Sequence, residues 1–345
     1  MKKVILSAAA FMCGAIVFAQ GNVSEVEQEG TSNQTEVEQT GDLNESYVEQ
    51  IGTANTTTVY QAGSSNLSLG YQEGGQHVLT VDQLGAYNES DVYQAGGDEN
   101  SSIVYQNGTV NSAYVTQYGS GNTAEAVQGS IFYTSQEGEI EQYQEGNENT
   151  ALAYMEEDAN YAEQEQIGNE NAVLVEQNLY EYGGNNYAFQ SQIGDGNVAI
   201  AYQDGEWNTI DQVQEGKSHS AYAEQYGGYN TVDQYQFNGT GNVSQARQFG
   251  DYNYNQQWQE GSSNEAIGYQ LGDDNAIYHS QNGESNIADS YQVGTFNISD
   301  VFQVGSGNSA IDTQLGAYNT SYTTQNGTGN SSTVTQTGGV VGSPQ

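Results

Sequence analysis

The sequence predicts an all-β fold, a two-sheet β-solenoid of about 14 turns, and three observations lead to it. The chain has 28 slots, most of them 11 residues apart, as in the unbroken run from Gln248 to Gln336, and Gln fills every slot except Met155. The slots carry the motif Q-x-G-x-x-N: Gly follows two residues after the slot at all but four, and Asn stands six residues before the slot at all but three. Between Asn and the next Gln, small or β-branched residues alternate with Glu, Asp and Tyr. A strict short period indicates stacked repeats, and alternation at period two indicates strands with one covered face.

The link between consecutive strands predicts how the strands are arranged. Q-x-G-x-x-N is expected to form a four-residue link in which Gly takes a positive φ and the chain reverses into the opposite sheet. Two 11-residue units then make one turn, and the next turn stacks at the inter-strand spacing of about 4.8 Å. Every second Gln and every second Asn lies above its counterpart, so that the inward amides can form continuous hydrogen-bonded ladders.

The residues predicted to form these ladders are inward amides at the motif positions, and the role predicted for them is structural. The glutamines are Gln28, Gln50, Gln61, Gln94, Gln117, Gln203, Gln248, Gln270, Gln292 and Gln314, and the asparagines are Asn33, Asn55, Asn88, Asn111, Asn197, Asn264, Asn286 and Asn308. No catalytic, cofactor-binding or metal-binding residue is predicted.

The start of the chain differs in composition from the repeats. Residues 1–19 are predicted to be a secretory signal peptide, because Lys2 and Lys3 precede an apolar run that ends in small residues. Residues 20–345 are predicted to form one solenoid domain with a short tail at 337–345. The alternative is two solenoids joined by a mobile middle segment.

The Gln spacing widens twice in the middle of the chain, which predicts lengthened loops near residues 129–137 and 178–185. Both loops follow even-numbered slots, so they are expected to leave the same edge of the solenoid two turns apart. The side chains expected to pack together at that spacing are Phe132 or Tyr133 against Leu179 or Tyr180.

The charge of the chain restricts its partners. The formal net charge is −40, and without the predicted signal peptide 44 acidic residues face only Lys217 and Arg247. Such a balance excludes nucleic acid as a partner and favours diffuse binding of cations along an acidic face. Cys13, the single cysteine, lies in the predicted signal peptide, so that no disulfide is expected in the secreted chain.

The residue pattern argues against an enzyme. His77, His219 and His279 occupy inward positions several turns apart, and the chain has no basic residues to spare for a polysaccharide-cleaving groove. Paired outward acids such as Glu25 and Glu27 do not have the spacing of calcium-binding repeat turns. Their arrangement favours loose cation binding over a defined calcium site. The alternative function is a monomeric acidic solenoid that binds carbohydrate through outward Tyr, ice through outward Thr, or cations.

The motif residues resemble the curlin repeat, the unit of curli, which are extracellular amyloid fibres of bacterial biofilms. That repeat has the form S-x5-Q-x-G-x-x-N-x-A-x3-Q, and Ser90, Gln94, Asn111, Ala113 and Gln117 show parts of it. The resemblance covers nearly all of the chain after the predicted signal peptide.

The resemblance implies a secreted subunit that self-associates into fibres at the cell surface, for biofilm matrix and cell adhesion. It also implies export through an outer-membrane pore and a nucleator subunit that starts the fibre. A fibre-nucleating minor subunit is the alternative within the family. The chain departs from the family pattern in its many units, its acidity and a first strand that opens at Asn22 in place of a Gly-rich leader.

Overall fold

The computed structural model describes residues 21–130, 133–178 and 183–338. Within these ranges the chain forms 30 β-strands and no helix, and hence none that is long and apolar enough to cross a membrane. Consecutive strands alternate between two parallel sheets, except for two short strands, β11 and β14, which pair beside the second sheet.

The first sheet has 14 strands, and each pairs with the strand of the next turn. They are β1 (Val23–Thr31), β3 (Glu45–Thr53), β5 (Leu67–Gly75), β7 (Glu89–Asp98), β9 (Ser112–Tyr118), β12 (Glu139–Asn147), β15 (Tyr161–Asn169), β17 (Tyr187–Asp195), β19 (Thr209–Lys217), β21 (Thr231–Thr240), β23 (Tyr254–Ser262), β25 (Ala276–Glu284), β27 (Ile298–Ser306) and β29 (Thr320–Thr328).

The second sheet repeats this arrangement on the opposite side of the interior. Its strands are β2 (Gln34–Asp42), β4 (Thr56–Ser64), β6 (Val78–Ala86), β8 (Ser101–Thr109), β10 (Thr123–Gln128), β13 (Thr150–Met155), β16 (Ala172–Gln177), β18 (Val198–Glu206), β20 (Ser220–Gly228), β22 (Val243–Phe249), β24 (Glu265–Leu271), β26 (Ile287–Thr295), β28 (Ser309–Ala317) and β30 (Ser331–Thr337), with β11 (Ser135–Gln136) and β14 (Glu157–Asp158) beside them.

The register follows the repeat. In β1 and β3, Gln28 pairs with Gln50 and Glu27 with Glu49, so that each side chain lies above its counterpart one turn later. All neighbouring strands run parallel because every second unit returns to the same sheet. The predicted two-sheet solenoid of about 14 turns, with two 11-residue units per turn, is thereby confirmed.

The link between strands is shorter than predicted. β26 continues through Gly294, and the connection to β27 consists only of Phe296 and Asn297. The residue that adopts the left-handed conformation at the corner is Phe296, with φ 58°, whereas Gly294, with φ 122°, still pairs with Gly316 in the ladder. Gly is needed at position 294 because an added Cβ would lie 1.8 Å from the Gly316 carbonyl oxygen. The stacked turns approach each other most closely at this column of glycines.

The two sheets are close together, and large inward side chains face small ones. Leu79 on the second sheet fills the space opposite Gly70 on the first sheet. A Cβ added at Gly70 would lie 2.7 Å from the Leu79 side chain. The central inward positions of the second sheet are Val in the early turns and Ala in the middle, as at Val81 and Ala223, and both are fully buried. This apolar core is thin, so that much of the buried volume is filled by amides.

Both sheets continue without a break through the disturbed middle region, since β10 pairs with β13 and β13 with β16. The loops that follow β10 and β16 therefore leave the same edge two turns apart, as predicted. The expected packing of Phe132 or Tyr133 against Leu179 or Tyr180 involves residues outside the described ranges. The repeat gains one residue near Gly97 and one near Asn238. Each addition appears as an irregularity in the register with the preceding turn, opposite Gln72–Gly74 and opposite Glu215–Lys217.

Candidate functional site

The slot glutamines form a column inside each sheet, continuous in the first sheet and interrupted at Met155 in the second. The Gln50 Nε2 group donates to Gln72 Oε1 of the next turn at 2.8 Å and to the backbone carbonyl of Gln34 across the interior at 3.2 Å. The same pair of bonds recurs at Gln292, toward Gln314 and the Ala276 carbonyl. One amide thus ties adjacent turns together along the axis and ties the two sheets together across it.

The structure distributes the predicted glutamines over both columns, and all except Gln28 in the first turn are buried. Gln28, Gln50, Gln94 and Gln117 lie in the first sheet, and Gln61, Gln203, Gln248, Gln270, Gln292 and Gln314 lie in the second.

The motif asparagines form ladders at the two corners. The Asn308 backbone N–H and its Nδ2 group both donate to Asn286 Oδ1, at 3.2 and 3.0 Å, and Nδ2 also donates to the Gly327 carbonyl at 3.1 Å. The bond from Asn to the Gly carbonyl of the next turn links the last residue of Q-x-G-x-x-N to the glycine of the same motif one turn later. It therefore explains why the three residue types occur together.

The predicted asparagines lie at two different corners. Asn33, Asn55, Asn197, Asn264, Asn286 and Asn308 lie where the chain passes from the first sheet to the second, and Asn88 and Asn111 lie where it passes back.

A third amide ladder in the middle turns was not predicted. Gln164 Nε2 donates to Gln190 Oε1 at 3.1 Å and to the Leu152 carbonyl of the opposite sheet at 2.9 Å. Its members lie two residues before the slot Gln, and the repeated pattern Q-x-Q in the sequence could have revealed them. They are Gln142, Gln164, Gln190, Gln212, Gln234 and Gln257. Their central position in the first sheet is opposite the small Ala residues of the second.

Met155 interrupts the ladder of the second sheet. Its side chain is fully buried in the slot that Gln occupies elsewhere. A thioether has no N–H to donate, and Gln177 Oε1 in the next turn is buried without a hydrogen-bond partner. An unpaired buried acceptor of this kind costs about 1–3 kcal/mol.

Replacing Met155→Gln is expected to raise the free energy of unfolding by about 1–2 kcal/mol, because the new amide can donate to Gln177 Oε1. The measurement is denaturant-induced unfolding of the purified chain, monitored by circular dichroism. Met155→Leu is the matched control, since it conserves volume without restoring a donor and should change stability by less than about 1.5 kcal/mol. If the Gln variant is no more stable than the Leu variant, the unpaired oxygen is not a source of instability.

The three histidines do not lie together. His77 and His219 replace Asn in the corner ladder, and the His77 backbone N–H donates to Asn55 Oδ1 at 3.0 Å while its Nδ1 accepts from the Asn100 N–H at 3.2 Å. His279 lies at the centre of the interior with Nε2 2.8 Å from Ser290 Oγ. Burial lowers the pKa of His77 and His219, and that of His279 to about 3. These histidines are structural substitutes within polar stacks, and none is paired with a nucleophile in a surface cleft.

The outer faces carry acids and stacked tyrosines. Glu27 and Glu49 lie directly opposite each other, which is unfavourable for like charges. The Tyr71 and Tyr93 rings stack at 4.7 Å with their planes 8° apart, so that each ring covers a face of its neighbour. Burial and a hydrogen bond to Glu73 raise the pKa of Tyr71 to about 12. Among the described residues no group of three His, Cys, Asp or Glu side chains could hold a metal ion.

The fold and its ladders define a class of protein, the polar-cored parallel β-solenoid with Gln, Asn and Gly in register. Three segments of the chain, residues 22–52, 52–96 and 97–129, match the family model of the curlin associated repeat. Residues 22–129 therefore carry curlin associated repeats, as the motif residues predicted. The same strand and ladder geometry continues beyond the matched segments to Thr337. The comparison with curated proteins finds no match.

Proposed function

We propose that the chain is a secreted subunit that polymerises end to end into curli-like extracellular fibres of a biofilm matrix that mediate cell adhesion. The observation that carries this proposal is the complementarity of the two ends of the solenoid. Among the described residues β1 and β2 have strand partners on one side only, and so do β29 and β30. An unpaired sheet edge recruits another strand, and joining unlike ends never closes on itself, which gives filaments.

Hydrogen-bond polarity supports joining of unlike ends. Except beside Met155, each slot Gln donates to the Gln of the next turn, so that Gln325 and Gln336 present their amide donors at the C-terminal end. At the N-terminal end, Gln28 donates into the chain to Gln50, which leaves its oxygen available to accept. The Asn ladders run the opposite way, since Asn330 donates back to Asn308 Oδ1. The C-terminal end of one copy therefore matches the N-terminal end of the next, whereas two like ends would oppose donor to donor.

Charge supports the same polarity. β1 and β2 carry six acidic residues, whereas β29 and β30 contain no Asp, Glu, Lys or Arg. Continuing the repeat across the junction, with Gln325 above Gln28, sets Glu27 against Thr324. Two N-terminal ends would instead bring like charges together, which disfavours that contact.

Growth is expected to be slow near neutral pH in low salt, because each added subunit brings many negative charges. It should accelerate with salt or Ca²⁺, which screen them, or as pH falls toward the ordinary carboxyl pKa of about 4. Burial raises the pKa of several outward carboxyls, Asp82, Asp91 and Asp289 among them, so that loss of charge begins above that value. The measurement is the lag time of dye-reported assembly against ionic strength and pH, and a lag that lengthens with salt would contradict the proposal.

A charge inserted at the junction provides a sharper comparison. Thr324→Glu together with Thr335→Glu sets acids against Glu27 and Glu38 of the next copy and should lengthen the lag, an effect that salt reverses. Thr80→Glu is the control, because Thr80 is an outward position away from both ends of the stack, between Thr58 and Ile103 of the neighbouring turns. If Thr80→Glu slows growth as much as the end variants, the effect is one of net charge alone.

The remaining roles belong to the same proposal. A nucleator subunit would present an N-terminal or C-terminal edge of matching polarity, and a secretion pore would pass the chain unfolded. Loose cations would gather along the outward acids. No enzymatic activity and no nucleic-acid partner are proposed.

A further inference from the structure

The left-handed corner residues differ between the two sides of the solenoid. Where the chain passes from the second sheet to the first, five of the last six corners carry an exposed aromatic residue with φ between 56° and 59°. We call this set the aromatic corner: Trp207, Tyr229, Tyr252, Phe296 and Tyr318. At the opposite side the same positions are filled by residues such as Ser218, Ser263 and Ser285. Bulky residues rarely adopt this conformation, and folding alone does not require them here.

The rings of the aromatic corner form two stacks. Tyr229 and Tyr252 are 4.9 Å apart with planes 6° from parallel, and Phe296 and Tyr318 are 5.1 Å apart at 7°. Parallel rings at such a distance must lie face to face, because coplanar rings would overlap. The spacing equals about one inter-strand step of 4.8 Å, so that the ring faces point along the solenoid axis.

Asp274 occupies the corner between the two stacks. It lies one turn after Tyr252 and one turn before Phe296, with φ 54° and an exposed side chain. The faces of Tyr252 and Phe296 therefore look toward each other across Asp274, separated by about two inter-strand steps, or roughly 9.6 Å. A group held midway is about 4.8 Å from each ring, within the distance of about 6 Å over which a cation is attracted to an aromatic face.

The carboxylates around the gap between the Tyr252 and Phe296 rings have no basic partner among the described residues. Asp273 Oδ1 accepts from the Asp251 backbone N–H at 3.0 Å, so that a second carboxylate lies at the same corner as Asp274. Lys217 and Arg247 pair elsewhere, with Asp195 and Glu224. The gap between the two rings thus combines two opposed aromatic faces with negative charge that no basic side chain neutralises.

The geometry points to a binding site for a small organic cation with a methylated ammonium head, seated between Tyr252 and Phe296 above Asp274. Ring faces attract such a poorly hydrated cation, and the carboxylate selects it over a neutral group of the same shape. A small hydrated metal ion gains less from ring faces, since it binds through oxygen ligands. The site is present in each copy of the chain and does not depend on fibre formation.

The test uses choline as the probe and 3,3-dimethylbutan-1-ol, its neutral isostere, as the matched ligand control. Titration of the freshly purified chain, followed by ligand-observed NMR, is expected to show saturable choline binding that weakens with salt and no comparable binding of the alcohol. Tyr252→Asn and Phe296→Asn should each weaken choline binding about fivefold to tenfold, and Asp274→Asn should weaken it as well.

Asn is chosen because it tolerates the left-handed conformation. If the rings serve only binding, the two Asn variants retain or raise the melting temperature while choline binding falls. Tyr229→Asn is the site control, since its ring is covered on both sides by Trp207 and Tyr252. Equal binding of choline and the alcohol, or equal choline affinity in the parent and in the Tyr252, Phe296 and Asp274 variants, would overturn the inference. So would loss of binding in Tyr229→Asn alone.

Discussion

Replacing Gly294→Ala is expected to cost at least about 3 kcal/mol of unfolding free energy and to stop the C-terminal turns from stacking in register. The added Cβ would lie 1.8 Å from the Gly316 carbonyl oxygen and 2.7 Å from the Gly316 carbonyl carbon. These are backbone atoms of the next turn, so that no rotation of a flexible side chain relieves the overlap. The measurement is chemical denaturation of the variant beside the parent chain.

Gly307→Ser is the matched control for this substitution. Gly307 has φ 63° at the corner position, a Cβ added there would meet nothing within 4 Å, and Ser285 occupies the equivalent corner one turn earlier. The substitution should therefore cost only about 1 kcal/mol. Similar losses for both variants would show that positive φ, rather than the close approach of stacked turns, makes glycine necessary in the motif.

Replacing Gln292→Leu is expected to cost about 3 kcal/mol or more and to slow fibre assembly, because three groups of the stack each lose a hydrogen bond at once. Gln270 Nε2 donates to Gln292 Oε1 at 3.1 Å, and Gln292 Nε2 donates to Gln314 Oε1 and to the Ala276 carbonyl. Leu has similar bulk but cannot make these bonds. Stability is measured by denaturation and assembly by dye-reported lag time.

Asp300→Leu is the control for the ladder substitution, since Asp300 points outward from β27 between Tyr278 and Tyr322. Asp300 makes no ladder hydrogen bond. Its replacement removes a half-buried carboxyl group, and burial raises the pKa of that group. Assembly of the Asp300 variant should match that of the parent. If Gln292→Leu also assembles and unfolds like the parent, the ladder amides do not stabilise the stack.

The sequence by itself determined the all-β class, the two-sheet solenoid, the number of turns and the identity of the corner and slot amides. These follow from local information, since a period of 11 fixes which residues stack and alternation fixes which face is inward. A parallel in-register stack also places identical residues above one another, so that the ladder partners of Gln50 or Asn308 can be named from the sequence alone.

Only the tertiary structure decided features that depend on contact between turns and between sheets. The glycine of the motif was predicted as part of a four-residue link, but it continues the strand, because its role is to let stacked backbones approach. The ladder from Gln142 to Gln257 depends on small Ala residues across the interior, and periodicity within one strand does not report that pairing. The unpaired Gln177 oxygen beside Met155, and the position of Asp274 one turn from both Tyr252 and Phe296, likewise arise from residues that the fold alone brings together.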